Sequence, residues 1–339
     1  MPCTHRLWVG CSTSVVGCSK PTHPPPRIHN HPQKGGRSLQ LLKQVLAVDP
    51  DYASAWVSLD WAYESLTFFK PAAWQELRAS RIEAIERALA IDENYAYAWA
   101  ALAYQRTFYD SDWQGARIAI EKALRLEPNN ADVIAAAAWL AGSTGRLPEA
   151  IELYEKAISL DPQHLGNLQE LGRRYLRVGR IDDAFDVYDW MRAMSPDYPY
   201  LGIYFGRAYI MQGDFENALL ETEKSPDGFF YPFQKAHILY MMGKETEAQT
   251  LIDELLETYA DDAPGVFAAV YAWRGDGDSA FEWLERAHEQ DNALPNLFLG
   301  NLWWRKLTGD PRYSAHVEKI GLLEEWKAMP PEYGGPPAQ

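Results

Sequence analysis

The sequence has few of the features that mark enzymes and membrane proteins. No apolar run approaches the roughly 18 residues that a membrane-spanning helix requires. All three cysteines, Cys3, Cys11 and Cys18, lie near the N-terminus, so the rest of the chain contains no thiol nucleophile. A glycine-rich phosphate loop, an H-E-x-x-H motif and a G-x-S-x-G motif are also absent. We therefore predict a non-catalytic protein without a membrane span, and expect neither a cofactor nor a metal site.

The first 37 residues differ in composition from the rest. They contain five basic residues and no acidic one, so the remainder carries a net charge of −20 when the whole chain carries −15. They show no apolar periodicity, and we predict a disordered basic leader over residues 1–37. Metal binding by its cysteines, a lipoprotein signal ending at Cys11 and a nucleic-acid-binding tail are weaker alternatives. The cysteine spacing is not a known ligand pattern, the apolar part is too short for a signal, and the basic residues are sparse.

Residues 131–198 consist of two consecutive blocks of 34 residues. Four residues of the first block recur at the same place in the second. The pairs are Gly145 and Gly179, Ala150 and Ala184, Tyr154 and Tyr188, and Pro162 and Pro196. A fixed period of this length indicates a repeat of helical units that stack on one another.

Each block contains two amphipathic helical stretches separated by a glycine. Gly179 stands where the first helix must stop, because glycine adopts the left-handed conformation at little cost. Ala184 is small where two helices cross closely. Pro196 ends the second helix, since proline lacks the N–H group that a helix interior needs. The block therefore reads as a helix, a tight turn, a second helix and a short turn.

This pattern resembles the tetratricopeptide repeat (TPR). The family's expected residues are matched in order by Leu168, Leu171, Gly172, Tyr175, Ala184, Tyr188 and Pro196. The resemblance implies an all-α fold: a right-handed superhelical solenoid of about seven TPR-like helix–turn–helix repeats plus a C-terminal capping helix.

We place the solenoid at residues 38–328, with repeats starting near residues 53, 96, 131, 165, 199, 229 and 261. Residues 329–339 are predicted to form a disordered tail. Two residues depart from the repeat pattern: Asp60 stands where a small residue is expected, and Arg106 replaces an expected tyrosine just before a turn with one extra residue. Asp112 is expected to cap the helix that follows this turn. Residues 294–307 are predicted to form a further helix before the polar cap that begins at Pro311.

In the TPR family, one face of each first helix lines a concave groove that binds peptides. Applied to this chain, the resemblance implies an aromatic early part, a basic middle and an apolar later part. The corresponding residues are Trp61, Tyr97, Tyr104, Phe108 and Trp139; then Arg173, Arg177 and Arg207; then Ile203, Met211, Phe233 and Tyr240.

Three arginines on the concave side of an acidic body indicate a binding role. We hypothesise that they hold a carboxylate or an acidic side chain of an extended peptide, while aromatic pockets accept apolar anchors. The expected partner is thus a protein or peptide with acidic and apolar anchors; the charge of −20 disfavours nucleic acid. In the alternative interpretation, the arginines pair with Glu152, Asp186 or other acids of neighbouring helices, and the aromatic residues only pack helix on helix.

Some segments resemble a narrower group, the C-terminal TPR arms of bacterial signalling proteins. The segments Y-A-W-R-G-D at residues 271–276, A-F-E-W-L at residues 280–284 and D-P-R-Y at residues 310–313 carry this resemblance. Such arms follow an adenylate cyclase, a winged-helix regulator or a kinase domain. The resemblance implies an alternative function as a regulatory arm in signal transduction, whose effector domain is missing from this chain. A cytoplasmic location is expected for either function.

Overall fold

The regular structure is helical throughout the described part of the chain, with no β-strand. The computed structural model describes residues 32–69, 73–225, 229–290, 299 and 301–337. Most of the predicted basic leader, residues 1–31, lies outside these ranges, and the first helix begins at Pro32.

Seventeen α-helices follow one another along the described chain. They are α1 Pro32–Val48, α2 Ala53–Phe69, α3 Ala73–Ile91, α4 Ala96–Gln105, α5 Trp113–Leu126, α6 Ala131–Ser143, α7 Leu147–Leu160, α8 Leu165–Arg177, α9 Ile181–Met194, α10 Leu201–Gln212, α11 Phe215–Thr222, α12 Phe230–Met241, α13 Glu245–Tyr259, α14 Pro264–Arg274, α15 Gly277–Glu289, α16 Pro311–Lys319 and α17 Leu323–Ala328. A π-helical turn, Arg106–Asp110, extends α4, and short 3₁₀ helices cover Leu302–Leu307 and Pro331–Tyr333.

Helices α2 to α15 pack as successive pairs, each helix against the next. The turn inside the regular pairs contains a glycine in the left-handed region, as at Gly179 with φ +79°. Ala184, five residues after Gly179, has no exposed surface and lets the two helices of its pair approach closely. The prediction of an all-α repeat solenoid is therefore confirmed.

The two departures from the repeat pattern have structural explanations. Asp60 replaces a small residue because Arg81 of the second helix reaches it: the Arg81 Nε donates to Asp60 Oδ1 at 2.7 Å. The extra residue before α5 is absorbed by the π-helical turn, which accommodates one more residue than an α-helical turn. Asp112 caps α5 as expected, since its carboxylate accepts a hydrogen bond from the Gly115 N–H at 2.8 Å.

Helix α16 covers the last pair, as the predicted cap would. Lys319 pairs with Glu285 of α15 at 2.8 Å, and Arg312 pairs with Asp278 at 2.8 Å. The preceding segment differs from the predicted helix over residues 294–307. Its described residues are Leu299 and the residues from Asn301 on, and the regular structure there is the 3₁₀ helix Leu302–Leu307.

The C-terminal segment also reaches back to the early part of the solenoid. The Trp113 Nε1–H of α5 donates to the Ile320 carbonyl at 2.6 Å, in a buried contact. Trp304, Tyr313 and Trp326 belong to the same apolar cluster as Trp113. The solenoid is thus bridged across its concave side.

The predicted disordered tail is a further difference. Residues 329–337 are described and pack on the body: Met329 is buried against Gly145, and the Trp326 Nε1–H donates to the Gly334 carbonyl at 3.0 Å. The contact between Met329 and Gly145 joins residues far apart in sequence, so the composition of the tail could not indicate it. Residues 338 and 339 lie outside the description.

Among the described helices, none is both long and apolar enough to cross a bilayer.

Replacement of Trp113 by alanine tests the bridge. Trp113 is 8% exposed, and we expect its removal to lower the free energy of unfolding by about 3–5 kcal/mol, because a large buried side chain and its hydrogen bond are lost. Trp190, which is 42% exposed on α9, is the matched control, and its alanine variant should change stability by about 0.5 kcal/mol or less. Urea unfolding followed by circular dichroism measures both. Equal losses for the two variants would contradict the bridge.

Candidate functional site

A cavity of about 1620 Å³ occupies the concave side of the solenoid. The first helix of every pair contributes to its wall, from α2 to α14, together with α1 and with single residues of second helices, such as Arg81 of α3 and Leu284 of α15. Residues 301–304 of the C-terminal segment complete the wall. The lining thus combines residues that are far apart in sequence.

The early end of the cavity is aromatic. Tyr104 stacks on Phe108 with ring centroids 5.7 Å apart, and its centroid lies 5.2 Å from that of Trp139. Trp61 follows at 6.5 Å from Tyr104 and is 47% exposed. The rings form a surface on which a planar or apolar group can stack.

A buried ion pair supports this aromatic end. The Arg81 side chain is 1% exposed and lies between Asp60, at 2.7 Å, and Glu64, at 3.3 Å. Its guanidinium also lies over the Tyr104 ring, 5.7 Å from the centroid. Burial raises the pKa of the Glu64 carboxyl, in spite of the nearby positive charge of Arg81. Arg81 therefore links α2, α3 and α4 through one buried network.

The middle of the cavity is basic. Helix α8 carries Glu170, Arg173 and Arg174, and their spacing of three and four residues places both guanidinium groups beside the carboxylate. The Arg173 Nη1 lies 2.7 Å from Glu170, and the Arg174 Nη2 lies 3.2 Å from it. Arg174 packs on α6 at Gly142, where an added Cβ would lie 2.5 Å from its Nε. One carboxylate thus serves two arginines.

Two further arginines face the cavity without an acid. Arg177 is 9% exposed, and its Nη1 donates to the Gly142 carbonyl at 3.3 Å. The Arg207 Nε donates to Gln234 Oε1 at 3.2 Å. No carboxylate of the described residues lies within 4.0 Å of either guanidinium. Both therefore present unmatched positive charge to the cavity.

Burial and the charges of neighbouring groups shift the pKa values of these side chains. Burial lowers the pKa of Arg207 to about 10, with a further contribution from Arg173. Burial, followed by the charges of Arg174 and Arg173, lowers the pKa of Arg177 well below its usual value. Burial alone would raise the pKa of Glu170, but Arg173 and Arg174 lower it overall. Arginine keeps its proton at neutral pH, so the neighbouring guanidinium groups repel one another.

The C-terminal segment approaches this basic region directly. The Trp303 ring lies 5.8 Å from the Arg207 guanidinium carbon, and an Arg305 Nη–H donates to the Arg177 carbonyl. The pKa of Arg305 is lowered by burial, and its Nε has no hydrogen-bond partner among the described residues. Arg305 therefore contacts the main chain at the C-terminal end of α8.

The cavity brings together ten of the twelve residues that the sequence analysis assigned to the groove. They are Trp61, Tyr97, Tyr104, Phe108, Trp139, Arg173, Arg177, Ile203, Arg207 and Met211. The alternative pairing of the arginines with acids of neighbouring helices does not describe Arg173, whose partner Glu170 is on its own helix.

Phe233 and Tyr240 are the two residues placed elsewhere. Phe233 is 2% exposed in the core, with its ring 5.5 Å from that of Phe267. Tyr240 packs on Trp273, with centroids 5.3 Å apart. Helix α12 turns a different face to the cavity, formed by Phe230, Gln234, His237 and Met241. The spacing within this face is helical, and Gln234 and Met241, which line the cavity, directly follow Phe233 and Tyr240, respectively, in the sequence.

Sequence reasoning missed Glu170, Gln234, His237 and the C-terminal segment. The position of Glu170 three and four residues before two arginines was a usable signal. The approach of Trp303 and Arg305 had none, because they lie more than a hundred residues from α8. A search of the described residues for three or more histidine, cysteine or acidic groups that could together hold a metal ion finds none.

The pair of Arg81 and Asp60 allows a direct test of the buried network. Arg81→Leu leaves a buried carboxylate without its partner, and we expect a loss of about 3–5 kcal/mol in the free energy of unfolding. In the double variant Arg81→Leu with Asp60→Ala the Asp60 charge is removed and the repeat pattern's small residue is restored, so part of the stability should return, while Glu64, the second acid beside Arg81, is retained. Urea unfolding measures both variants. A double variant as unstable as the single one would show that the cost does not come from Asp60.

Comparisons with known proteins agree with this architecture. Residues 105–164 match the family described as tetratricopeptide repeat. No curated protein matches the chain in a sequence search. Among solved structures, a monomeric mutant of IFIT1 with Gppp-AAAA has a TM-score of 0.56 at 18% identity, covering 76% of this chain and 68% of that one.

Two further solved structures show the same likeness. The human IFIT1 dimer with PPP-AAAA has a TM-score of 0.52 at 17% identity, covering 76% of this chain and 69% of that one. A tetratricopeptide repeat protein from Parabacteroides merdae has a TM-score of 0.50 at 14% identity, covering 77% of this chain and 99% of that one. At such identities the likeness shows the fold. The chain is therefore an all-α repeat solenoid in which residues 105–164 match the tetratricopeptide repeat.

Proposed function

We propose that this protein is a non-catalytic binding scaffold whose concave cavity holds an extended segment of a partner protein. An acidic group of that segment contacts Arg177 and Arg207, and apolar side chains contact the aromatic surface around Tyr104. The observation that carries the proposal is that both arginines face the cavity without a carboxylate partner.

The energetics favour this interpretation. A buried charge without a partner is costly, and an incoming anion that pairs with it removes that cost. Charge-assisted hydrogen bonds to arginine are worth about 1.5–3 kcal/mol each. The aromatic surface adds contact area with little loss of side-chain freedom, as anchors in peptide-binding sites do. The solenoid itself supports the wider role, because stacked repeats create extended concave surfaces.

Two other functions predict different experimental results. The resemblance to the arms of bacterial signalling proteins favours a regulatory arm, in which the same cavity would hold a segment of an effector; intact-mass analysis of the native protein would reveal such a domain. The IFIT1 structures contain Gppp-AAAA and PPP-AAAA, so RNA is tested as a competitor. A cytoplasmic location remains a prediction.

A peptide-display selection on the full chain tests the proposal. We expect the enriched peptides to contain Asp or Glu next to apolar residues. Arg177→Gln and Arg207→Gln should each weaken the binding of a selected peptide by roughly 10- to 100-fold, measured by fluorescence polarisation, because a charge-assisted contact is lost. Arg177 and Arg207 have no carboxylate partner, so their replacement by Gln leaves no buried acid unpaired. Arg173 is left unchanged, since its removal would take one partner from Glu170.

Arg286→Gln is the matched control. Arg286 lies on α15, pairs with Asp261 and is 39% exposed. Its removal should leave the affinity unchanged. Selected peptides without acidic residues, or unchanged affinity in both cavity variants, would contradict the proposal. Displacement of the peptide by a 5′-triphosphate tetra-adenylate RNA would favour nucleic acid instead.

A further inference from the structure

The basic region of the cavity holds more positive charge than one carboxylate can balance. Glu170 pairs with Arg173 and Arg174. Arg177, Arg207 and Arg305 have no carboxylate within 4.0 Å among the described residues. A peptide Asp or Glu brings a single negative charge. A phosphomonoester brings about 1.5 to 2 negative charges at pH 7, together with three strong acceptor oxygens.

The hydrogen-bond donors in this region are also unfilled. Arg177 makes one side-chain hydrogen bond, to the Gly142 carbonyl, and Arg207 makes one through Nε, which leaves its two Nη groups without partners in the described chain. Arginine forks match the oxygens of a phosphoryl group bidentately, so a phosphate offers these guanidinium groups more acceptor oxygens than a carboxylate does.

Arg177 and Arg207 line the same cavity. Arg173 and Arg177 lie one turn apart on α8, and Arg305 donates to the Arg177 carbonyl. Trp303, two residues before Arg305, lies 5.8 Å from the Arg207 guanidinium carbon, and Phe230 lies 6.0 Å from it on α12. The donors are therefore flanked by aromatic rings, which can contact the side chain or the backbone that carries a phosphate.

We infer that the acidic group bound in the cavity is a phosphorylated side chain of the partner protein, held by Arg177 and Arg207. This inference rests on the proposed function and specifies its ligand. The distribution of charge favours a phosphorylated protein segment over RNA. The arginines without acids are concentrated in one region, whereas the rest of the lining includes Glu64, Asp132 and Asp161. An RNA strand carries a phosphate at every nucleotide and would meet these acids.

Capped amino acids separate a dianion from a monoanion. We would titrate the full chain at pH 7.5 with N-acetyl phosphoserine amide and with N-acetyl glutamate amide, using isothermal titration calorimetry. We expect phosphoserine to bind at least tenfold more tightly than glutamate. Arg177→Gln and Arg207→Gln should each remove most of that difference, and Arg286→Gln should preserve it. Circular dichroism checks that each variant is folded.

Each outcome has a distinct meaning. If glutamate binds as tightly as phosphoserine, and both depend on Arg177 and Arg207, the inference is overturned while the proposed function stands. If the cavity variants leave the binding of both probes and of the display-selected peptide unchanged, the proposed function falls with it. Inorganic phosphate that binds as tightly as phosphoserine would show that no protein segment is recognised, and would also overturn the inference. A preference for 5′-triphosphate tetra-adenylate over phosphoserine would do the same in favour of RNA.

Discussion

The contact between the C-terminal segment and the early helix pairs determines the shape of the whole molecule. A stack of helix pairs buries its apolar faces between neighbours and leaves an open concave side. Here the cluster around Trp113 and Trp304 joins the C-terminal segment to α5, and the Trp113 Nε1–H donates to the Ile320 carbonyl. The concave side becomes a bounded cavity whose wall includes residues 301–304.

The bounded cavity determines the electrostatic environment of Arg177 and Arg207. On an open solenoid surface, water would solvate Arg177 and Arg207 and the charges would cost little. In the bounded cavity Arg177 and Arg207 are buried, and at the lower effective dielectric of a buried site the repulsion between guanidinium groups becomes significant. The lowered pKa values of Arg177 and Arg207 reflect this environment. The stability that the apolar clusters provide offsets the cost of these buried charges, and the cavity keeps a positive potential that attracts an anion.

Much of the architecture could be predicted from local signals. The 34-residue period, the glycine at the turn and the small residue after it specify a helix pair wherever they occur, because each acts within a few residues of its own position. Gly179 and Ala184 behave as their chemistry requires, and Asp112 caps α5. The residues that this frame selected on α2 to α10 line the cavity, whereas on α12 Phe233 lies in the core and Gln234 lies in the cavity wall.

The sequence by itself determined the repeating helix pair, the order of the pairs and the concentration of arginines on α8, since all three depend on short-range spacing. Asp60 interrupts the repeat pattern in the sequence, and the reason is its contact with Arg81, which only the structure reveals. Tertiary structure alone decided that the C-terminal segment closes the cavity and that Arg177 and Arg207 remain unmatched. Those facts depend on contacts between residues distant in the chain, and the free energy of a buried charge depends on everything packed around it.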